Sequence, residues 1–124
     1  MAAVDVVDET FLAVPPEVVA AVFSRPESWR RYWPDLHLDL YADRGAEGYR
    51  WAVTGALTGT MEVWLEAVLD GTVLHYFLRA ETELSARQAR KVAGARQLAA
   101  KTLALDLKQV LEDGRRPGVP PVRA

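Results

Sequence analysis

Residues 60–80 read TMEVWLEAVLDGTVLHYFLRA, and the fold follows from how this stretch turns back on itself. Asp70-Gly71 is a strong two-residue hairpin signal with strand-forming residues on each side. A turn at those two residues predicts that Met61 faces Ala80, Val63 faces Leu78, Leu65 faces Tyr76 and Ala67 faces Leu74. On the other surface Glu62 faces Arg79, Trp64 faces Phe77 and Glu66 faces His75. One face is apolar and the other is charged and aromatic, so the apolar side needs a cover.

Only one segment is long enough to supply that cover. Ser85-Ala86-Arg87-Gln88 has capping-box spacing, and Ala89, Val92, Leu103, Leu107, Val110 and Leu111 then form a helical stripe up to a stop at Gly114. About 28 residues at roughly 1.5 Å each give about 40 Å of helix, enough to cross a whole sheet. Gly94 interrupts it and predicts a bend or a close approach to the sheet.

Upstream, Val4 to Val14 reads as a strand, and Pro16 opens a short helix through Val18, Val19, Val22 and Phe23. Ser24-Arg25-Pro26-Glu27 breaks that helix and starts a second turn containing Trp29, Arg30, Tyr32 and Trp33, which Pro34 ends. From Asp35 the pattern alternates, with Leu36, Leu38 and Leu40 on one face and Asp35, His37 and Asp39 on the other. Tyr49 to Thr54 continues as a strand, while the register between Gly55 and Gly59 stays open. The expected architecture is α+β, with about five antiparallel strands, two small helices after the first strand, and a long C-terminal helix. Its domain spans 1–114, with 115–124, rich in proline, as a flexible tail.

The composition narrows the function classes. A chain of 124 residues suits one domain, and the absence of cysteine removes disulfide and thiolate chemistry. The N-terminus carries Asp5, Asp8 and Glu9 where a secretory leader needs bases and an apolar run, and Val18 to Phe23 is too short to span a bilayer. A cytoplasmic protein with no membrane span is therefore expected. Residues 1–83 hold fourteen acids and six bases, while 84–124 hold three acids and nine bases, so the sheet and the long helix should attract each other. Nucleotide-binding glycine loops, a nucleophile elbow and a zinc-protease helix are all missing, and no cofactor or metal is implied.

The stretch VPPEVVAAVFSRPESWRRYWPDL, residues 14–36, together with ALDLKQVLEDGR, residues 104–115, resembles the SRPBCC or START-like (Bet v 1-like) superfamily. In particular it looks like the bacterial polyketide cyclase/dehydrase and lipid-transport family. The matching features are the proline-led helix with Val18 and Val19, the Pro26-to-Trp29 turn, Trp33-Pro34, and the helix ending near Gly114. The resemblance implies a helix-grip fold, a curved sheet around the C-terminal helix with a cavity for an apolar small molecule. The superfamily commonly places six strands between the small helices and the long one, and only about four fit here. Any cavity is thus expected to be shallow, open or vestigial.

The leading expectation is binding or carriage of a small hydrophobic, lipid- or polyketide-like molecule between sheet and helix. Met61, Val63, Leu65, Leu74, Tyr76 and Leu78, facing Leu103 and Leu107, could line the pocket, with the indoles of Trp33 and Trp51 as walls. The same stripe is also what ordinary core packing produces. A second expectation, from the resemblance, is a cofactor-independent polyketide cyclase or dehydratase, for which Glu62, His75 and Arg79 are the grouped catalytic candidates. Cross-strand pairing at the surface accounts for the same three residues. Asp35, His37 and Asp39 superficially suggest a metal site, but a solvated strand explains them more simply. Arg87, Arg90, Lys91, Arg96 and Lys101 make the helix basic and raise a third reading, a macromolecule-binding module; a solvated face is the simpler one, and nucleic acid is not the expected partner. The exposed aromatic strand face around Trp64 makes a homodimer plausible.

Overall fold

The computed structural model describes residues 2–113. The order is β1 (Ala2–Leu12), α1 (Pro16–Phe23), α2 (Pro26–Tyr32), β2 (Leu36–Asp43), a single 3-10 turn (Gly45–Glu47), β3 (Gly48–Gly55), β4 (Thr58–Val68), β5 (Gly71–Thr82) and α3 (Ala86–Glu112). The strands form one antiparallel sheet in the order β1-β5-β4-β3-β2, so the first strand closes beside the last. All three helices lie on one face of it, which is the helix-grip, α+β layout expected. The stop at Gly114 and the tail 115–124 lie outside the described residues; α3 ends at Glu112, with Asp113 left-handed at φ 46°.

The hairpin keeps its two faces but not its register. Met61 faces Leu78, Val63 faces Tyr76, Leu65 faces Leu74, and Trp64 faces His75. The shift is two residues, which preserves side-chain parity, so no residue changes face. The turn itself is Leu69-Asp70, and Leu69, at φ 54°, carries the left-handed backbone. Gly71 is a glycine for another reason: a Cβ there would lie 2.4 Å from the Leu12 carbonyl oxygen and 2.6 Å from the Phe11 ring. At the segment left open by the sequence, Val53 pairs with Gly59, whose own Cβ would stand 2.0 Å from the Arg79 carbonyl oxygen.

The long helix does not cross the sheet. It packs chiefly along β1, because β1 is an edge strand whose outward carbonyls need donors. Gln97 Nε2 donates to the Val7 carbonyl at 2.7 Å, Lys101 Nζ to that of Glu9 at 2.9 Å, and Lys108 Nζ to that of Phe11 at 3.0 Å. Glu112, buried, accepts from the Ala13 amide at 2.9 Å and from Lys108 at 2.7 Å. The alternation of β1 also carries Asp8 to the helix side, where it is buried and meets Lys101 at 3.1 Å. With Arg96 on Asp35, these pairs realise the expected attraction between acidic sheet and basic helix.

Gly94 is exposed, and a Cβ there would meet nothing within 4 Å, so the expected close approach to the sheet does not occur. The helix start matches the reading in detail: the Gln88 amide donates to Ser85 Oγ at 3.2 Å, and the Ser85 amide donates to Gln88 Oε1 at 3.3 Å.

Candidate functional site

The apolar residues of α1 run round most of its circumference. Val19, Ala20 and Phe23 turn to the core, Val22 packs against its edge, and Val18 and Ala21 are left on the opposite side. Trp29 of α2 closes the end of α1, its Nε1 donating to the Phe23 carbonyl at 2.7 Å. Under the two small helices the rings of Phe23, Trp29, Tyr32, Trp33, Tyr49 and Trp51 interlock at centroid separations of 5.5–6.3 Å. This aromatic bulk fixes α1 and α2 above β3 and β4, while the carbonyls of β1 hold α3 at the far side. A cleft of about 960 Å³ is left between the two helical layers.

The floor of the cleft is Trp33 and Tyr76, stacked with centroids 6.0 Å apart and planes within 8°. The Tyr76 hydroxyl donates to Met61 Sδ at 3.2 Å, and burial pushes its ionisation well above the ordinary value of 10.0, with Arg96 opposing the shift. One wall is α1 and α2, the other the side of α3 that carries Leu98, Leu103, Leu107 and Val110. Leu98 is 70% exposed and Val110 72%, high values for apolar side chains that line one feature. Polar groups at the rim are Arg25, Ser28, Arg31, Arg96, Thr102 and Asp106.

Of the pocket residues expected from sequence, Trp33, Tyr76, Leu103 and Leu107 line this cleft. Val63 and Leu74 lie one layer lower, around a void of about 10 Å³ that is at the limit of what one water needs. Trp51, Met61, Leu65 and Leu78 are buried within the core and line neither space. The indole N–H of Trp51 has no hydrogen-bond partner among the described residues. Sequence reasoning missed Val18, Val22, Leu98 and Val110, although PEVVAAVF is apolar on more sides than one buried face requires, a legible sign of a second apolar surface.

Glu62, His75 and Arg79 stand on the opposite face of the sheet. The two-residue shift puts Phe77 opposite Glu62, and Glu62 pairs instead with Arg50 at 3.0 Å and Arg44 at 3.6 Å. Arg79 lies across from Thr60 and Asp5. His75 is buried by its own neighbours: it stacks on Trp64 at 4.2 Å, with Nε2 3.0 Å from Glu66 and Nδ1 3.3 Å from Glu9. Glu62 and Arg79 share a shallow trough of about 540 Å³ that does not include His75. Among the described residues no group of three His, Cys, Asp or Glu side chains could hold a metal ion, and no helix is long and apolar enough to cross a membrane.

No protein-family model and no curated protein matches the chain. Solved structures do. The Aha1 dimer from Colwellia psychrerythraea is similar at 14% identity over 91% of this chain and 99% of that one, with a TM-score of 0.68. The di-domain ARO/CYC StfQ of the steffimycin biosynthetic pathway shares 16% identity over 92% of this chain and 52% of its own, with a TM-score of 0.66. The Polyketide_cyc-like protein Cgl2372 from Corynebacterium glutamicum shares 17% identity over 89% and 92% of the two chains, with a TM-score of 0.57. At such identities the likeness is one of fold, and the chain has the SRPBCC, Bet v 1-like fold that its helix and turn motifs resemble.

Proposed function

We propose that this protein binds a small apolar molecule in the cleft between α1–α2 and α3. The observation that carries the reading is an opening of about 960 Å³ with an aromatic floor and aliphatic walls, within the roughly 300–1,000 Å³ of small-molecule sites. Similarity in fold to a polyketide ARO/CYC and to a Polyketide_cyc-like protein supports the same class of ligand. The ligand lies outside the central core and on the exposed side of Trp33 and Tyr76. Carriage, rather than turnover, is the form proposed, because the grouped acid-base candidates Glu62, His75 and Arg79 face away from the cleft.

The test is organic extraction of the purified protein with mass spectrometry of what is released, followed by titration with the neutral fluorophore N-phenyl-1-naphthylamine. Leu103, half-buried in the cleft wall, is the residue to replace. Leu103→Arg should abolish binding while near-ultraviolet circular dichroism stays native. Absence of any bound probe in the wild-type protein, or equal binding by the variant, overturns the proposal.

A further inference from the structure

The cleft is electrically one-sided, and the asymmetry bears on what it takes; the inference rests on the cleft being the binding site. Its α3 wall runs from Ala95 to Leu111, about 24 Å at roughly 1.5 Å per residue. Two tethers orient the facing wall. Glu112 holds the Ala13 amide, so α1 starts beside the end of α3, and Asp35, just after α2, holds Arg96, so α2 finishes beside the earlier part of α3. The end where α1 starts and α3 finishes is thus lined by Val18, Val110 and Leu111, Arg31 and Arg96 stand toward the other end, and Arg25 lines the cleft from the join of α1 and α2.

Arg96 is neutralised by Asp35, and Arg30, one residue from Arg31, pairs outward with Glu27. The guanidinium groups of Arg25 and Arg31 have no hydrogen bond or ion pair with any described residue, although both line the cleft. Among the described residues the rim has one carboxylate, Asp106, ten residues along α3 from Arg96, about 15 Å toward the apolar end, where it disfavours an anion. We infer that the ligand is an amphiphile with one carboxylate, its apolar chain on Val22, Leu103 and Leu107 and its head between Arg25 and Arg31. Guanidinium suits this role because its planar donors match a carboxylate in pairs.

The probes are dansyl-undecanoic acid and its methyl ester, which differ only in the anion. The wild-type protein should bind the acid about tenfold more tightly, a modest factor because the arginines are solvent-accessible. The preference should shrink as salt rises. Arg25→Gln with Arg31→Gln should remove it and leave ester affinity within about twofold; the single variants should each remove part, which keeps the test valid if the pair folds poorly. Equal binding of acid and ester by the wild type, or equal weakening of both by the arginine variants, overturns the carboxylate inference and leaves the cleft reading standing. Binding of neither overturns both.

Discussion

Lys101→Met is the substitution that most directly probes how α3 is held. Lys101 Nζ reaches Asp8 Oδ1 at 3.1 Å, Thr10 Oγ1 at 2.8 Å and the Glu9 carbonyl at 2.9 Å. The Asp8 side chain is 5% exposed, so among the described residues its carboxylate keeps only the Thr10 hydroxyl, at 3.1 Å, once the ammonium is gone. Breaking a fully buried pair by removing one partner costs about 3–5 kcal/mol. Lys101 itself is 42% exposed, and water entering beside the methionine tempers the cost to about 2–3 kcal/mol. In urea the unfolding midpoint should fall by about 1–2 M. Asp8→Asn combined with Lys101→Met removes both charges and should cost at least about 1 kcal/mol less than the sum of the single changes. A Lys101→Met variant within about 0.5 kcal/mol of wild type, or strict additivity in the cycle, refutes the claim that these contacts anchor the helix.

Gly94→Ala should stabilise the protein by about 0.5–1 kcal/mol, because the position is helical, exposed and open; a loss in thermal or urea unfolding contradicts the placement of α3. At the hairpin, Gly71→Ala should cost about 2 kcal/mol or more from collision with Leu12 and Phe11, whereas Leu69→Asn, which better tolerates a positive φ, should be neutral or stabilising. The reverse order would restore a turn at Asp70-Gly71. Trp51→Ala should cost about 3–5 kcal/mol, and Trp51→Phe markedly less, since phenylalanine gives up volume but also an unpaired N–H. Tyr49 and Tyr76 both ionise above the ordinary 10.0, mainly through burial. A phenol with a raised folded-state value stabilises fully below the unfolded value and loses that contribution as pH climbs past it. Stability should therefore drop above about pH 10, and less so in Tyr76→Phe; absorbance at the phenolate band should show the Tyr76 ring ionising only as the protein unfolds.

Much of the fold is legible because periodicity survives errors of register. The hairpin turn is misplaced by a glycine that serves the crossing of β1 and not the turn, yet the shift of two residues leaves every side chain on its expected face. The capping box at Ser85 and the proline-led starts of α1 and α2 are local signals, and each marks its helix correctly. The site is less legible, since it depends on how far apart two helical layers stand. That spacing is set by the aromatic cluster under α2 and by Gln97, Lys101 and Lys108, which reach β1 carbonyls ninety or more residues away in the chain. Trp33, Tyr76, Leu103 and Leu107 reach the cleft, while Trp51, Met61, Leu65 and Leu78 fill the core beneath, a division the alternating pattern does not encode. Asp8 was readable: it sits among Val4, Val6 and Leu12 on the buried parity of β1, and a carboxylate there demands a cation.

The central claim is that an apolar molecule binds between α1–α2 and α3. Amide and indole chemical-shift mapping during titration with N-phenyl-1-naphthylamine tests it most directly. The account predicts saturable shifts clustered at Val22, Tyr32, Trp33, Leu103 and Leu107, with Trp64 and Phe77 on the far face unmoved. Shifts confined to Trp64, Phe77 and Arg79, or none at saturating probe, would contradict it.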